Sequence, residues 1–258
     1  MKILVCVKQV PEPDAVIRVD DRKRWIRAEK SIAYKMNRFD EFAVEEALRI
    51  RKAFPGTRVD AVSVGPDRAA MVVKRAIGMG ADNGVHMAIE DHGYLSPFTV
   101  ASLIAGYARD RHYDLILTGV MAEDDMQGMV GPMLAELLFL PCATFIIFEK
   151  ISPGTETIYV EREIKGGYRD ALEIKLPAVL TIQGGINKPR YPSLSNMLRA
   201  KNQKLKTIVP GLNEQPRQRE EVMRVSYPQK SRSGMVLKGN QQEKAAQLLK
   251  ILREKTLI

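Results

Sequence analysis

Three short apolar runs, at residues 2–7, 59–64 and 113–118, are separated by stretches long enough to hold a helix each. Runs without apolar–polar alternation suit strands that are covered on both faces, as in a parallel sheet. Between them the period changes. Residues 40–54, DEFAVEEALRIRKAF, gather Phe42, Ala43, Ala47, Leu48 and Ile50 toward one face, crowd acids into the first turn and stop at Pro55-Gly56. A second helix is expected over 67–79, after Gly65-Pro66. A third is expected after Ser96-Pro97, with Val100, Leu103, Ile104 and Tyr107 on its buried side. With a short strand at 84–87 and a fourth helix ending by Leu140, the alternation predicts an α/β fold: a Rossmann-like, doubly wound, mainly parallel sheet.

After Pro141 the pattern becomes that of antiparallel hairpins. Residues 143–150, 157–164 and 169–176 read as strands, with turns at Pro153-Gly154 and Gly166-Gly167. Too few apolar residues lie between 141 and 183 for a separate core, so the hairpins are expected to extend the sheet. The run 176–182 reads as one more buried strand, ended by Gly184-Gly185. Pro189 and Pro192 then bias the chain toward extended angles, which predicts a stiff loop presenting Arg190, Tyr191 and Leu194. Ser195 is placed to cap a basic helix over 196–206. Residues 210–239 are polar and read as an arm. A last helix over 241–255 puts Ala245, Leu248, Leu249 and Leu252 on one face, which needs a partner.

The net charge of +9 is unevenly placed, since residues 186–258 hold 16 Lys and Arg against 5 Asp and Glu. Such a tail fits an acidic partner, nucleic acid or anionic lipid, and charge alone does not choose among them; Tyr191 and Tyr227 are its only aromatics, so a nucleic-acid surface built on base stacking is disfavoured. No apolar run is long enough to span a bilayer and the N-terminus enters a strand pattern directly, so a soluble, cytoplasmic protein is expected. Cys6 and Cys142 lack CxxC spacing, and His86, His92 and His112 lack ligand spacing, so no metal is expected.

Ligands of open α/β sheets bind beyond the carboxyl ends of the strands, which directs attention to the loops after Val7, Val64 and Thr118. The third reads GVMAEDDMQGMVGPMLAELL. Glu123, Asp124 and Asp125 precede an expected helix start, and Gly128 and Gly131 allow close backbone approach, so free N–H groups here suit an anion such as a phosphate. The spacing matches neither GxGxxG nor a Walker loop. No catalytic constellation stands out, and Cys6 reads as a small core residue.

Taken together, ILVCVKQVPEPDAVIRVD, MNRFDEFAVEEALRIR, AVSVGP, AIGMGAD and VEREIKGGYRDALEIKLPAVLTIQGGINKPRYPSLSNMLRAK resemble, in order and spacing, the small (beta) subunits of electron-transfer flavoproteins. The resemblance implies an electron carrier subunit rather than a self-sufficient enzyme. It implies a heterodimer with an alpha subunit, an FAD shared with that subunit, and AMP held in this chain's own sheet. Acyl-CoA dehydrogenases of fatty acid oxidation are the implied donors, and a membrane-associated oxidoreductase the acceptor. The implied AMP seat is Cys6, Asn37, Arg38, Phe39, Asp40, Val64, Asp125, Met126, Gln127, Gly128, Met129, Val130, Gly131 and Pro132. The implied docking segment includes Pro189, Arg190, Tyr191, Met197, Arg199 and Lys201, with Leu194 as the apolar anchor that enters a dehydrogenase pocket.

Two departures bear on the seat. The family's glutamine before the small-residue-Gly pair is Met129 here, and the DGDT pattern of electron-bifurcating members reads Asp124-Asp125-Met126-Gln127, which favours AMP over a second FAD. The alternatives are a bifurcating subunit with FAD in this seat and NADH as donor, or a stand-alone nucleotide-sensing module. The expected organisation is a nucleotide-binding α/β domain over 1–183, a recognition loop and basic helix over 184–210, and a partner-packing arm and helix over 211–258.

Overall fold

The first strand, Lys2–Cys6 (β1), shows why the sheet forms. Ile3 and Val5 pack into a core on one of its sides, and Leu4 and Cys6 into a second core on the other. A strand with both faces covered belongs in the middle of a layered α/β structure. The computed structural model describes residues 1–258 except 23, 24, 28, 30, 91, 92, 153, 155, 212–218, 229–233 and 258. His92, Pro153 and Pro216 therefore lie outside the described residues.

An antiparallel pair of short strands, Gln9–Pro11 (β2) and Tyr34–Met36 (β3), precedes the first helix, Arg38–Ala53 (α1). Then follow Arg58–Gly65 (β4), Ala70–Met79 (α2) after a single 3-10 turn, Asn83–Ala88 (β5), Pro97–Ala108 (α3), Leu115–Gly119 (β6) and Val130–Leu138 (α4). Ser96 caps α3 by accepting the Thr99 N–H, with Pro97 at the first position. Cys142–Ile151 (β7), Thr157–Glu163 (β8) and Arg169–Lys175 (β9) form the antiparallel extension. Ala178–Ile182 (β10) returns to the centre, pairing parallel with both β6 and β7. Leu194–Asn202 (α5), Lys206–Ile208 (β11) and Gln241–Glu254 (α6) complete the elements.

The large sheet has the order β11-β5-β4-β1-β6-β10-β7-β8-β9. From β1 the chain first moves outward through β4 and β5, then crosses back to place β6 on the other side of β1. The crossing creates a switch point between β1 and β6, where the following loops part and leave a crevice. α1 and α2 cover one face through Ala43, Ala47, Leu48, Val72 and Val73. α3 and α4 cover the other through Leu103, Ile104 and Leu134. Each fully buried valine, leucine or isoleucine side chain among them contributes about 1.5–3 kcal/mol of hydrophobic stabilisation.

Glu123, Asp124 and Asp125 precede the fourth helix as expected; it begins at Val130 with Met129 before it, and the acids pair with lysines across the crevice. Two expectations are corrected. The basic helix is capped by Ser193, whose hydroxyl accepts the Asn196 N–H at 3.2 Å, and not by Ser195. It therefore begins at Leu194 and ends at Asn202. Lys204 follows the helix, and Lys206 opens β11, the strand that pairs with β5.

The described chain divides into two compact units, Met1–Val225 and Ser226–Ile258. The second contains α6, started by a reciprocal capping box between Asn240 and Glu243, with Leu248 and Leu249 exposed. Among the described residues, no helix is long and apolar enough to cross a membrane.

Candidate functional site

A cavity opens at the switch point, at the carboxyl ends of β1, β4 and β6. Of the expected seat residues, Cys6, Asn37, Asp40, Val64, Asp125, Gln127, Gly128 and Val130 line it. Leu95, Pro97, Val100 and Ile104 add an apolar wall from the start of α3, which the sequence reading missed, as it missed Lys8 and Gly119. Arg38, Phe39, Met126, Met129, Gly131 and Pro132 stand outside the wall. Met126 and Met129 are exposed, Met126 with a left-handed φ of 57°, while Arg38 uses its backbone N–H to hold Glu123 at 2.9 Å.

Gly131 acts from behind the wall. A Cβ there would lie 2.5 Å from Thr181 Cγ2 and 2.9 Å from Thr118 Oγ1, so only glycine lets the first turn of α4 close onto β6 and β10. At Gly128 a Cβ would lie 2.7 Å from the Val120 carbonyl oxygen. These close approaches bring the helix amino end beside the cavity, an arrangement that favours an anion.

Asn37 and Asp40, at the start of α1, hold the loops together. The Asn37 side-chain amide donates to the Met121 carbonyl at 2.9 Å, and its oxygen accepts the Glu123 N–H at 3.1 Å. Asp40 accepts the Lys8 N–H at 2.7 Å and the Gly119 N–H at 3.0 Å, one on each carboxylate oxygen. Its carboxyl is pushed up to about 7, mainly by burial and against those two donors. Burial, and then the Asp40 charge, raise the Cys6 thiol, so this wall residue is neutral.

Lys8 extends from the end of β1 into a pair of acids, with Nζ 2.7 Å from Asp124 Oδ1 and 3.0 Å from Asp125 Oδ2. Burial works against its charge, but the two carboxylates outweigh it and raise the ammonium above its ordinary value. Lys35 pairs with Glu123 at 3.2 Å. The acidic run is thus a clasp that folds the loop after β6 across the crevice. Gln127 continues the closure by donating to the Tyr94 hydroxyl at 3.0 Å. Beside the cavity, sharing Lys8, Val64, Leu95 and Asp125 with it, lies a second cleft lined by Trp25, Tyr34 and Tyr94.

The second expected site is the segment after β10. Tyr191 is 89% exposed and Leu194 70%, with Met197 and Leu198 also exposed along α5. Lys201 is exposed, and Arg199 reaches the Ile77 carbonyl at 3.3 Å. Pro189 is half-buried. Arg190 is exposed, and its guanidinium is bound to Glu45 of α1.

Glu149 lies close to this anchorage. Burial, and then the neighbouring Glu46 carboxylate, push its carboxyl from an ordinary 4.5 up to about 8, with Arg49 opposing. The folded value lies above the unfolded one, so its contribution to stability is full below the unfolded value and is lost as pH rises through the folded one. Thermal melting should therefore weaken between about pH 5 and about pH 9. Glu149→Gln, uncharged throughout, should make that limb shallower, leaving the share of Asp40, whose carboxyl is likewise raised, to about 7; an equal fall in both proteins would remove this account.

Comparison with known proteins gives concordant matches. A family model described as an electron transfer flavoprotein domain matches residues 24–212. The chain is 37% identical over 240 residues to the mitochondrial electron transfer flavoprotein subunit beta of Oryza sativa subsp. indica, covering 92% of this chain and 93% of that protein. It is 36% identical over 213 residues to the Homo sapiens subunit beta, covering 82% of each. With the Bacillus subtilis subunit beta it shares 33% over 244 residues, 93% of this chain and 90% of that protein.

Proposed function

Because this chain belongs to the electron transfer flavoprotein family and stands among its beta subunits, we propose that it works as half of a heterodimeric electron carrier with an alpha subunit. It shares one FAD with that subunit and holds AMP in its own switch-point cavity. Acyl-CoA dehydrogenases donate, a membrane-associated oxidoreductase accepts, and the chain acts in the cytoplasm. The bound flavin supplies the redox chemistry.

The observation that carries the nucleotide reading is the cavity's division of character. Val64, Leu95, Pro97, Val100 and Ile104 suit a planar base, whereas Gly128 and the amino end of α4 suit a phosphate. Asp40 stands at the cavity wall with both oxygens already accepting backbone N–H groups, so it positions the loops rather than contacting a phosphate. Lys8 and the acids hold the loop closed. For the alpha subunit, the exposed Leu248 and Leu249 of α6 offer apolar surface, as do Phe148 and Tyr159 on the antiparallel extension.

The cleft lined by Trp25, Tyr34 and Tyr94 supports one rival: continuous with the cavity, it gives room for the longer FAD of a bifurcating carrier that takes electrons from NADH. Nucleotides released on denaturing the purified heterodimer decide between the two. One FAD and one AMP per heterodimer is the expected result. Two FAD would establish the rival, and a heterodimer purified without AMP or FAD would overturn both.

A further inference from the structure

The exposed hook formed by Tyr191, Leu194 and Met197 rests on a loop that is fastened to α1 at successive points. Phe42, Glu45, Glu46 and Arg49 recur at helical spacing and so share one face of α1. Asn187 donates from its side-chain amide to the Phe42 carbonyl at 2.9 Å and to Glu46 Oε2 at 2.7 Å. Arg49 donates to the Ile186 carbonyl at 3.3 Å. Arg190 then closes a fork on Glu45, with Nε 2.8 Å from Oε2 and Nη2 2.9 Å from Oε1, while its own backbone N–H donates to Oε2 at 3.1 Å. Beyond the hook, α5 is seated on α2, where Pro192 and Ala200 pack close to Gly78 and Gln203 donates to the Asp82 carbonyl at 3.0 Å.

An ordinary surface ion pair adds little to stability and holds nothing in place. The Glu45–Arg190 pair differs in two respects. The Glu45 side chain is only 8% exposed, and it receives three hydrogen bonds from one residue, so its charge is oriented as well as neutralised. The fork also lies four residues before Leu194, whose side chain is left 70% exposed. A loop fixed in this way keeps its apolar hook in one arrangement before any partner arrives, which lowers the ordering cost of association.

We propose that Glu45 and Arg190 are positioning residues for electron-donor docking: the fork sets how Leu194 is presented, and Arg190 does not act as a steering charge. The proposal rests on the reading, implied by the family resemblance, that Leu194 is the apolar anchor entering an acyl-CoA dehydrogenase pocket. Arg190→Lys separates the two roles, because it keeps the positive charge and loses the planar fork. The experiment uses the FAD-loaded heterodimer and measures its reduction by an acyl-CoA dehydrogenase across a range of ionic strengths, with FAD content and melting temperature recorded for each variant.

Arg190→Lys should raise KM for the heterodimer about tenfold, with kcat and the ionic-strength dependence of kcat/KM unchanged. Glu45→Asp keeps the charge but withdraws it by one methylene, and should do the same, so a folding failure in one variant leaves the other to decide. The Arg190→Lys/Glu45→Asp double variant should raise KM no further than either single change if both act through one contact. A wild-type KM in Arg190→Lys and Glu45→Asp overturns the proposal, as does a lowered melting temperature with KM unmoved. Leu194→Ala, assayed in parallel, separates the two levels. If it slows transfer while the fork variants do not, only the positioning role fails. If it too leaves KM unmoved, the docking reading fails and the proposal with it.

Discussion

Gly119→Ala is expected to lower stability by about 3 kcal/mol and to strip the heterodimer of its second nucleotide. The new Cβ would lie 2.4 Å from Asp40 Oδ1, 2.7 Å from Phe39 Cβ and 2.8 Å from the Phe39 carbonyl carbon. A flexible side-chain tip could swing away, but the backbone of α1 cannot. The Gly119 N–H also donates to that same Asp40 oxygen at 3.0 Å, so any relief of the clash lengthens a buried, charge-assisted hydrogen bond. Moving the start of α1 drags Asn37 with it, and with Asn37 the Met121 and Glu123 contacts that hold the loop after β6. Gly106→Ala in α3 is the matched control, since a Cβ there meets nothing within 4 Å. Replacing that helical glycine should stabilise by about 0.5–1 kcal/mol. Urea midpoints and released nucleotide measure both effects, and a Gly119→Ala protein that keeps its midpoint and its nucleotide would show that the switch point is not tightly packed.

The layers of the fold were legible because they rest on local patterns. Residues 2–7, 59–64 and 113–118 are apolar without alternation, and β1, β4 and β6 fall on them. β2, β3 and β11 are three-residue strands with mixed composition, and nothing in so short a window separates them from loop. Close approach at Gly128 and Gly131 could be read from glycine placed beside an expected strand end. Lys8 could not be identified, because its partners are 116 and 117 residues away and a lysine just past a strand looks like solvated surface. The same long-range pairing makes a clasp of Asp124 and Asp125, which precede the helix as expected, and binds Arg190 to Glu45, 145 residues distant. Ser193 and Ser195 flank Leu194 with equal capping chemistry. Ser193 takes the role, at the start of a helix that packs on α2, a tertiary contact that sequence spacing does not encode.

Leu194→Ala should reduce kcat/KM for electron transfer from an acyl-CoA dehydrogenase by about 30-fold, with FAD content unchanged. The size follows from burial. A leucine side chain moved from water into a partner's apolar pocket contributes about 2 kcal/mol, and each 1.4 kcal/mol is a factor of about ten. In the free chain Leu194 is 70% exposed and contributes little to the core, so the melting temperature should stay within about 1 °C of the parent. Stability and transfer are thereby separated in one variant. Lys201→Gln completes the comparison. The exposed Lys201 ammonium lies on α5, beyond the hook, and its loss should flatten the ionic-strength dependence of kcat/KM while changing its high-salt value less than twofold. On the proposed reading the two effects have distinct origins: desolvation of an aliphatic anchor sets how long the encounter lasts, and an exposed cation sets how often it begins. Undiminished transfer by Leu194→Ala, with flavin intact, would place the docking surface elsewhere on the chain.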